Sequence, residues 1–430
     1  MFATLTTLRV RQHAVGLRVA FAAAALVFTS STLATDGKSL SLDEALRVGI
    51  ERSPALAAQR SAVSAAEQST VSARELPDPK LIFGVDNLPI DGPDRYSVGR
   101  DFMTMRKIGV MQEFPRAEKR ELKGERAAKE LSREQATLAD TRAGLRRDIA
   151  QAWMECYFAQ RMVSVVAEQY AEVELQRDTL RAGLRAGKTQ AAELLGLEVN
   201  LQSLLDRQAD FEKQAARARV MLSRWLGPVA ERPLALLPDA WSPGEPPDLT
   251  THVAHHPHLQ MMERQVEVAQ SEAALARASR KPDWSLEANY AQRGSAFSNM
   301  VSVQVTIDLP IFQSRRQDRD VTAKMAMVEQ ARALKEDALR QHVAEADAAR
   351  SDWEAAGRRL KRFDESLLPL ARQRTQASLA IYGGGQGTLA MVLDARRSEL
   401  ELKLQQLQLT ADQARAYAQL IYFLPEENTE

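Results

Sequence analysis

The chain has 430 residues with 57 basic and 57 acidic side chains, so its formal net charge is zero. That balance lacks the basic surplus of a nucleic-acid binder, and no nucleic-acid partner is expected. Ala, Leu, Arg, Glu and Gln dominate the composition, which favours long helices. A single cysteine, Cys156, excludes an intrachain disulfide.

Residues 1–34 read as a secretory signal. Arg9, Arg11 and Arg18 form a basic start, "VAFAAAALVF" an apolar core, and Ala34 a small residue at the cleavage point. The apolar run falls short of the roughly 20 residues that span a bilayer. Export is therefore expected, and Cys156 lies too deep in the chain to be a lipid-bearing first residue. Beyond it the chain is one unit written twice. "ERSPALAAQRSAVSAAEQSTVSARELPDPKLIFGV" aligns with "AHHPHLQMMERQVEVAQSEAALARASRKPDWSLEA", superposing Pro54 on Pro257, Leu56 on Leu259 and Pro79 on Pro282. "IGVMQEFP" matches "VQVTIDLP", and Gly187, Leu195 and Trp225 match Gly385, Leu393 and Phe423. The first copy is expected over 35–237, a linker containing "PDAWSPGEPP" over 238–250, the second copy over 251–425, and a tail over 426–430.

Each copy repeats one order of elements. A helix over 54–76 or 257–280 starts on a proline, which suits a first turn. Strands are predicted over about 80–88 and 98–114, then 283–292 and 299–309. A very long helix follows over 117–184 or 317–381, then a glycine break and a last helix over 189–226 or 388–424. At 1.5 Å per residue the long helix rises ~100 Å. Each copy is thus expected to be a long antiparallel hairpin, with strands at the end opposite the glycines.

"SNMVSVQVTIDLP" alternates Val301, Val303, Val305, Ile307 and Leu309 with Ser302, Gln304, Thr306 and Asp308. Ile108, Val110 and Phe114 alternate in the same way with Lys107, Met111 and Glu113. Leu81, Phe83 and Val85 match Trp284, Leu286 and Tyr290 on the apolar side. No nearby helix sequence is available to cover that side. Four such strands cannot close a membrane barrel, which starts at about 8 strands. Several identical chains are required, and the physics leaves two copies or three open.

The glycine breaks tempt a nucleotide-binding reading. Gly383, Gly384, Gly385 and Gly387 follow a helix rather than a strand, and no lysine follows Gly387. Gly183 and Gly187, with Lys188 after them, have the wrong spacing for a phosphate loop. Glycine caps at a helical turn explain both stretches.

The two-fold repeat, the helix starts at Ser53 and His256, the strand ends "QEFP" and "DLP" and the glycine-marked tips resemble the TolC-like outer membrane factors. The resemblance implies a mainly α protein with a small β part. Three copies would form a trimeric 12-stranded β-barrel in outer membrane lipid, continued by a long periplasmic α-barrel. Within the family, "DNLPIDGPDRYSVGRDFMTMRKIGVMQEFPRAEKR" looks most like the heavy-metal efflux, CzcC-like branch. The implied partners are a periplasmic membrane-fusion adaptor and an inner-membrane RND pump. Adaptor docking falls on the tips, at Gly183, Gly187, Lys188, Gly383, Gly384, Gly385 and Gly387. A periplasmic gate falls on Tyr382, Met391, Asp394 and Glu193. One family acidic-ring position holds Asp394 and the other Met391, while the family's gating-arginine position holds Gly387.

His255, His256 and His258, with His252 close by, look like a set of metal ligands, but the repeat partner "VGIERSPAL" has none, and surface histidines without a fixed site are the favoured reading. Met103, Met105 and Met111 are expected on the lumen face, where thioethers suit soft cations or simply fill space. No catalytic constellation appears, so neither enzyme activity nor a cofactor is expected. The remaining alternatives are a multidrug or type I secretion channel, or a soluble periplasmic coiled-coil scaffold.

Overall fold

A computed structural model describes residues 39–187, 190–237 and 252–423. The signal segment, Lys188, the 238–250 linker and the 426–430 tail lie outside the described residues. The order is α1 (Leu42–Arg52), α2 (Pro54–Ser72), β1 (Lys80–Asp86), β2 (Met105–Phe114), α3 (Ala117–Arg185), α4 (Ala191–Leu226), α5 (Pro257–Ala278), β3 (Trp284–Gln292), β4 (Met300–Ile307), α6 (Gln317–Arg362), α7 (Leu368–Gly383) and α8 (Leu389–Tyr422). The fold is mainly helical, with one small antiparallel sheet ordered β1-β2-β3-β4. Each copy supplies one hairpin, and the two join through β2 and β3.

α3 is a single helix of 69 residues. Over its rise of ~100 Å it is packed along a seam rather than a wide apolar face. Met162, Val166, Val173 and Leu180 recur at four- and seven-residue steps and close on Leu197, Leu201 and Leu204 of α4 and Leu400 and Leu404 of α8. That is coiled-coil packing, in which a narrow apolar stripe suffices. Nearer the sheet the core widens around Trp153, which is fully buried. Its indole N–H donates to the Leu40 carbonyl at 3.3 Å, and Leu42, Leu222, Leu226 and Ala414 pack about it. Cys156 is a buried thiol of the same cluster.

Helix starts follow the repeat. The Ser53 hydroxyl accepts from the Leu56 N–H at 3.3 Å, with Pro54 in the first turn. His256, its counterpart, does the same with its Nδ1 and the His258 N–H at 3.2 Å, ahead of Pro257. α1 was not expected; Ser41 caps it, accepting from the Glu44 N–H at 3.2 Å, and its apolar face covers Trp153.

Two expectations need correction. The second strand begins at Met105 rather than near 98, because residues 87–104 form a tied loop. Asp101 Oδ1 accepts from the Met103 and Thr104 N–H groups at 2.8 and 3.0 Å, and Thr104 donates to the Asn87 carbonyl at 3.0 Å. Met103 therefore sits in this loop and not on a strand. The helix expected over 317–381 is broken by a π turn at Phe363–Leu367. Pro369 has no N–H for the α-helical bond, and the Leu368 N–H reaches the Phe363 carbonyl instead.

Candidate functional site

The sheet separates two faces cleanly. Leu81 lies opposite Val110, Phe83 opposite Ile108, Ile108 opposite Tyr290 and Phe114 opposite Trp284. Leu286 lies opposite Val305 and Tyr290 opposite Val301. All are on one face and, apart from the half-buried Phe114, all are exposed. Phe114 and Trp284 stack at 4.4 Å. A contiguous face of exposed apolar side chains of this kind is unusual on a water-soluble monomer. The opposite face carries Lys80, Lys107, Glu113, Glu287, Asn289 and Gln304. There Lys107 pairs with Asp86 at 3.1 Å, and Lys80 with Glu113. Met105 and Met111 lie on this polar face, opposite Asp86 and Lys80 in register. Gly109 is required here: a Cβ would fall 1.7 Å from the Asn289 Oδ1 of the neighbouring strand. Among the described residues no helix is long and apolar enough to cross a membrane.

At the far end, the two glycine tips are built alike. Gly187 and Gly385 both have positive φ, 68° and 75°. The Gly187 N–H donates to the Leu184 carbonyl and the Gly385 N–H to the Tyr382 carbonyl, each at 3.0 Å. In the second tip the Gln386 N–H also reaches the Ile381 carbonyl at 3.1 Å, completing a Schellman cap. Gly183 lies inside α3, Gly383 is the last residue of α7, and Gly384 caps it. A Cβ at Gly387 would fall 3.0 Å from the Ile381 side chain and 3.3 Å from the Tyr382 N, so this residue folds back onto α7. Thr388 then caps α8, accepting from the Met391 N–H at 3.4 Å.

Tyr382 and Glu193 come together from the two copies. Tyr382 is half-buried and packs, as Leu194 and Leu393 do, against the apolar seam that includes Leu389. Burial raises its phenol above the ordinary value, and the Glu193 carboxylate adds to the shift. Met391 is exposed. Asp394 is not a bare carboxylate: Arg374 of α7 holds it at 2.5 Å. Arg396, two residues on, turns to Glu172 of α3 at 2.5 Å and is mostly buried. With its amide turned to accept, Gln176 adds contacts to Arg396 at 2.9 and 3.2 Å. This tie between the two hairpins was missed, since Glu172 and Arg396 share no local pattern.

His256 and His258 are not the surface side chains that the sequence suggested, whereas His255 is exposed. His256 is buried, with Nε2 at 3.1 Å from the Tyr422 carbonyl. His258 Nδ1 lies 3.0 Å from Asp140 Oδ2. A third imidazole, His342 of α6, packs 5.0 Å from both rings, and neither of its nitrogens has a hydrogen-bond partner. Burial lowers the His256 pKa to about 4, helped by His342; burial also lowers that of His342, helped by His258. His258 stacks on His342 and His256 meets it edge-on, and among the described residues no group of three or more His, Cys, Asp or Glu could hold a metal ion. His255 stands outside the cluster, in the short 3-10 turn Val253–His255.

Comparison with known proteins bears on both ends. The profile of the family described as outer membrane efflux protein matches residues 251–424. CusC, solved in work on transmembrane channel formation, superposes at a TM-score of 0.76 and 16% identity, over 89% of this chain and 92% of that one. The Campylobacter jejuni CmeC outer membrane channel gives 0.74 at 12% identity, over 89% and 85%. The open state of the Neisseria gonorrhoeae MtrE outer membrane channel gives 0.69 at 15%, over 89% and 88%. The chain has the outer membrane efflux protein fold. Both copies share it, because each superposition spans far more than residues 251–424. No curated protein sequence matches the chain.

Proposed function

We propose that the chain is the outer membrane channel of a tripartite, RND-type efflux system, a passive exit duct for heavy-metal cations. The observation that carries it is the sheet: an apolar, uncovered outer face backed by a polar face, on strands of seven to ten residues. Two edge strands, β1 and β4, are left open, and pairing the β4 edge of one copy with the β1 edge of the next closes a ring. Three copies give twelve strands and six helical tips. The signal segment directs export. Tip residues from Gly183 to Gly187 and Gly383 to Gly387 face the adaptor. Tyr382, Glu193, Met391 and Asp394 stand at the entrance, where three copies present ion-paired Asp394 side chains rather than a ring of bare carboxylates.

Met105 and Met111 on the polar face, beside Asp86 and Glu287, support metal cations as cargo. Sensitivity profiling of a deletion strain tests the cargo. Loss of metal resistance is expected; normal metal tolerance with lost resistance to drugs or dyes would replace metals by organic cargo.

A further inference from the structure

Within the chain the two helical hairpins lie side by side in one register. α3 sits between α4 and α8, and α8 between α3 and α6–α7, so α4 and α6–α7 are the two flanks. Along the inner contact Arg396 of α8 meets Glu172 of α3 at 2.5 Å. At the other end of α8 the Arg147 guanidinium lies 4.6 Å from the centre of the Tyr422 ring. The repeat carries α3 onto α6–α7 and α4 onto α8, with Gly187 on Gly385 and Leu195 on Leu393. The contact that α3 makes with α8 therefore has a counterpart that one chain cannot make alone: α6–α7 of one copy on α4 of the next.

Both flanks carry side chains that the chain itself leaves without partners. Leu197, Leu201 and Leu204 turn one side of α4 to the shared seam, which leaves Val199, Asp206, Asp210 and Lys213 exposed on the other. Arg358 and Arg362 of α6 and Leu370 of α7 are exposed in the same way. Val199 and Leu370 are 71% and 61% exposed. Asp206, Asp210, Lys213 and Arg362 have no hydrogen-bond or ion-pair partner among the described residues. Glu354 is shared at 3.5 Å by Arg350 and Arg358. The α3–α8 register, transferred to α6–α7 and the α4 of a neighbouring copy, sets Leu370 against Val199. It also sets Arg362 against Asp206, Arg358 against Asp210 and Glu354 against Lys213, each to within about half a helical turn. One apolar contact and three pairs of opposite charge thus fall into line.

We propose that these two flanks form an ionic seam between neighbouring copies of the chain, whose charges fix which helices meet and in what register. The inference rests on the channel reading, in which the β4 edge of one copy joins the β1 edge of the next. α6–α7 belongs to the repeat that ends in β4 and α4 to the repeat that begins with β1, so sheet and helices close on the same neighbour. A slip of one heptad places Arg362 against Lys213 and Arg358 against Arg217, which turns attraction into repulsion. The seam therefore selects against the wrong register as well as for the right one. A trimer carries three such seams.

The test uses the full chain with Cys156→Ala, purified in detergent and treated with a bismaleimide that spans the about 8–10 Å between packed helices. Leu370→Cys together with Val199→Cys should give covalent dimer and trimer on a denaturing gel, and either substitution alone should give monomer. Leu370→Cys with Val220→Cys, ~30 Å further along α4, should link at least about tenfold less. Arg358→Glu with Arg362→Glu should lower the yield of trimer about tenfold at low salt, the scale of two exposed ion pairs turned into repulsions. Adding Asp206→Lys and Asp210→Lys to the same chain should restore most of it. Absence of covalent trimer from the Leu370→Cys, Val199→Cys protein, or equal linkage through Val220→Cys, would overturn the seam. So would a trimer yield that ignores the arginine reversals, or a loss that the added lysines do not reverse. Planar-bilayer conductance separates the levels: pores without the cross-link leave the channel reading standing and remove the seam, whereas absence of pores from the unsubstituted chain removes both.

Discussion

Val303→Arg sets the two physical readings of the sheet furthest apart. Val303 is central in β4, opposite Ala288, and 67% exposed. On a water-facing sheet, an exposed valine replaced by arginine changes stability by less than about 0.5 kcal/mol, and here would remove an apolar liability. On a lipid-facing barrel, an arginine near the bilayer midplane costs about 2–4 kcal/mol. A three-fold ring repeats that cost in every copy, giving about 6–12 kcal/mol per trimer. Gln304→Arg, one residue on and on the polar face, is the matched control and should cost little. The assay is the yield of heat-resistant trimer from outer membranes, followed by urea unfolding of the reconstituted protein. Val303→Arg should lose most of its folded yield while Gln304→Arg keeps it. Equal behaviour of the two variants, or a gain in soluble protein from Val303→Arg, would refute the assignment of the faces.

Gly385→Ala should destabilise by about 1 kcal/mol in chemical denaturation, the cost of a side chain in the left-handed region. No atom lies within 4 Å of the added Cβ, so a much larger loss would point to a contact this account lacks. His256 binds its proton less readily when folded, at about pH 4 against an ordinary 6.5. The unfolded chain therefore takes up more protons on acidification. About 3 kcal/mol of stability, fully present above pH 6.5, should drain away as pH falls toward 4. His256→Ser retains a helix cap, as Ser53 does in the first copy, and should flatten that part of the pH profile in unfolding titrations. Arg396→Ala should loosen the second tip from the first. In planar bilayers it should raise the open fraction of the pore, and Glu172→Gln should do the same without adding to it. Additive effects would show that the two residues act separately.

The long-range plan was legible because it is written twice. Gly187 and Gly385, Ser53 and His256, and the alternating strands each had a partner to be checked against, and a repeat converts weak local signals into agreement. Signals without a partner fared worse. Pro369 was visible and a proline inside a helix demands a break, yet the surrounding apolar periodicity masked it. The strand start at 98 failed because residues 96–103 keep an apolar look while Asp101 ties their backbone into a loop. His342 stood alone in sequence, more than eighty residues from the other histidines. Only the packing of α6 on α5 and α8 brings it between them. Arg396 and Glu172 met for the same reason, through tertiary approach of the two hairpins.

The central claim, that copies of this chain close into a water-filled pore, is tested most directly by adding the purified full-length protein to a planar lipid bilayer. The account predicts stepwise insertions of uniform unit conductance, with cross-linking at the β1 and β4 edges giving a trimer. Protein that is freely soluble after osmotic shock and leaves the bilayer non-conducting would contradict it.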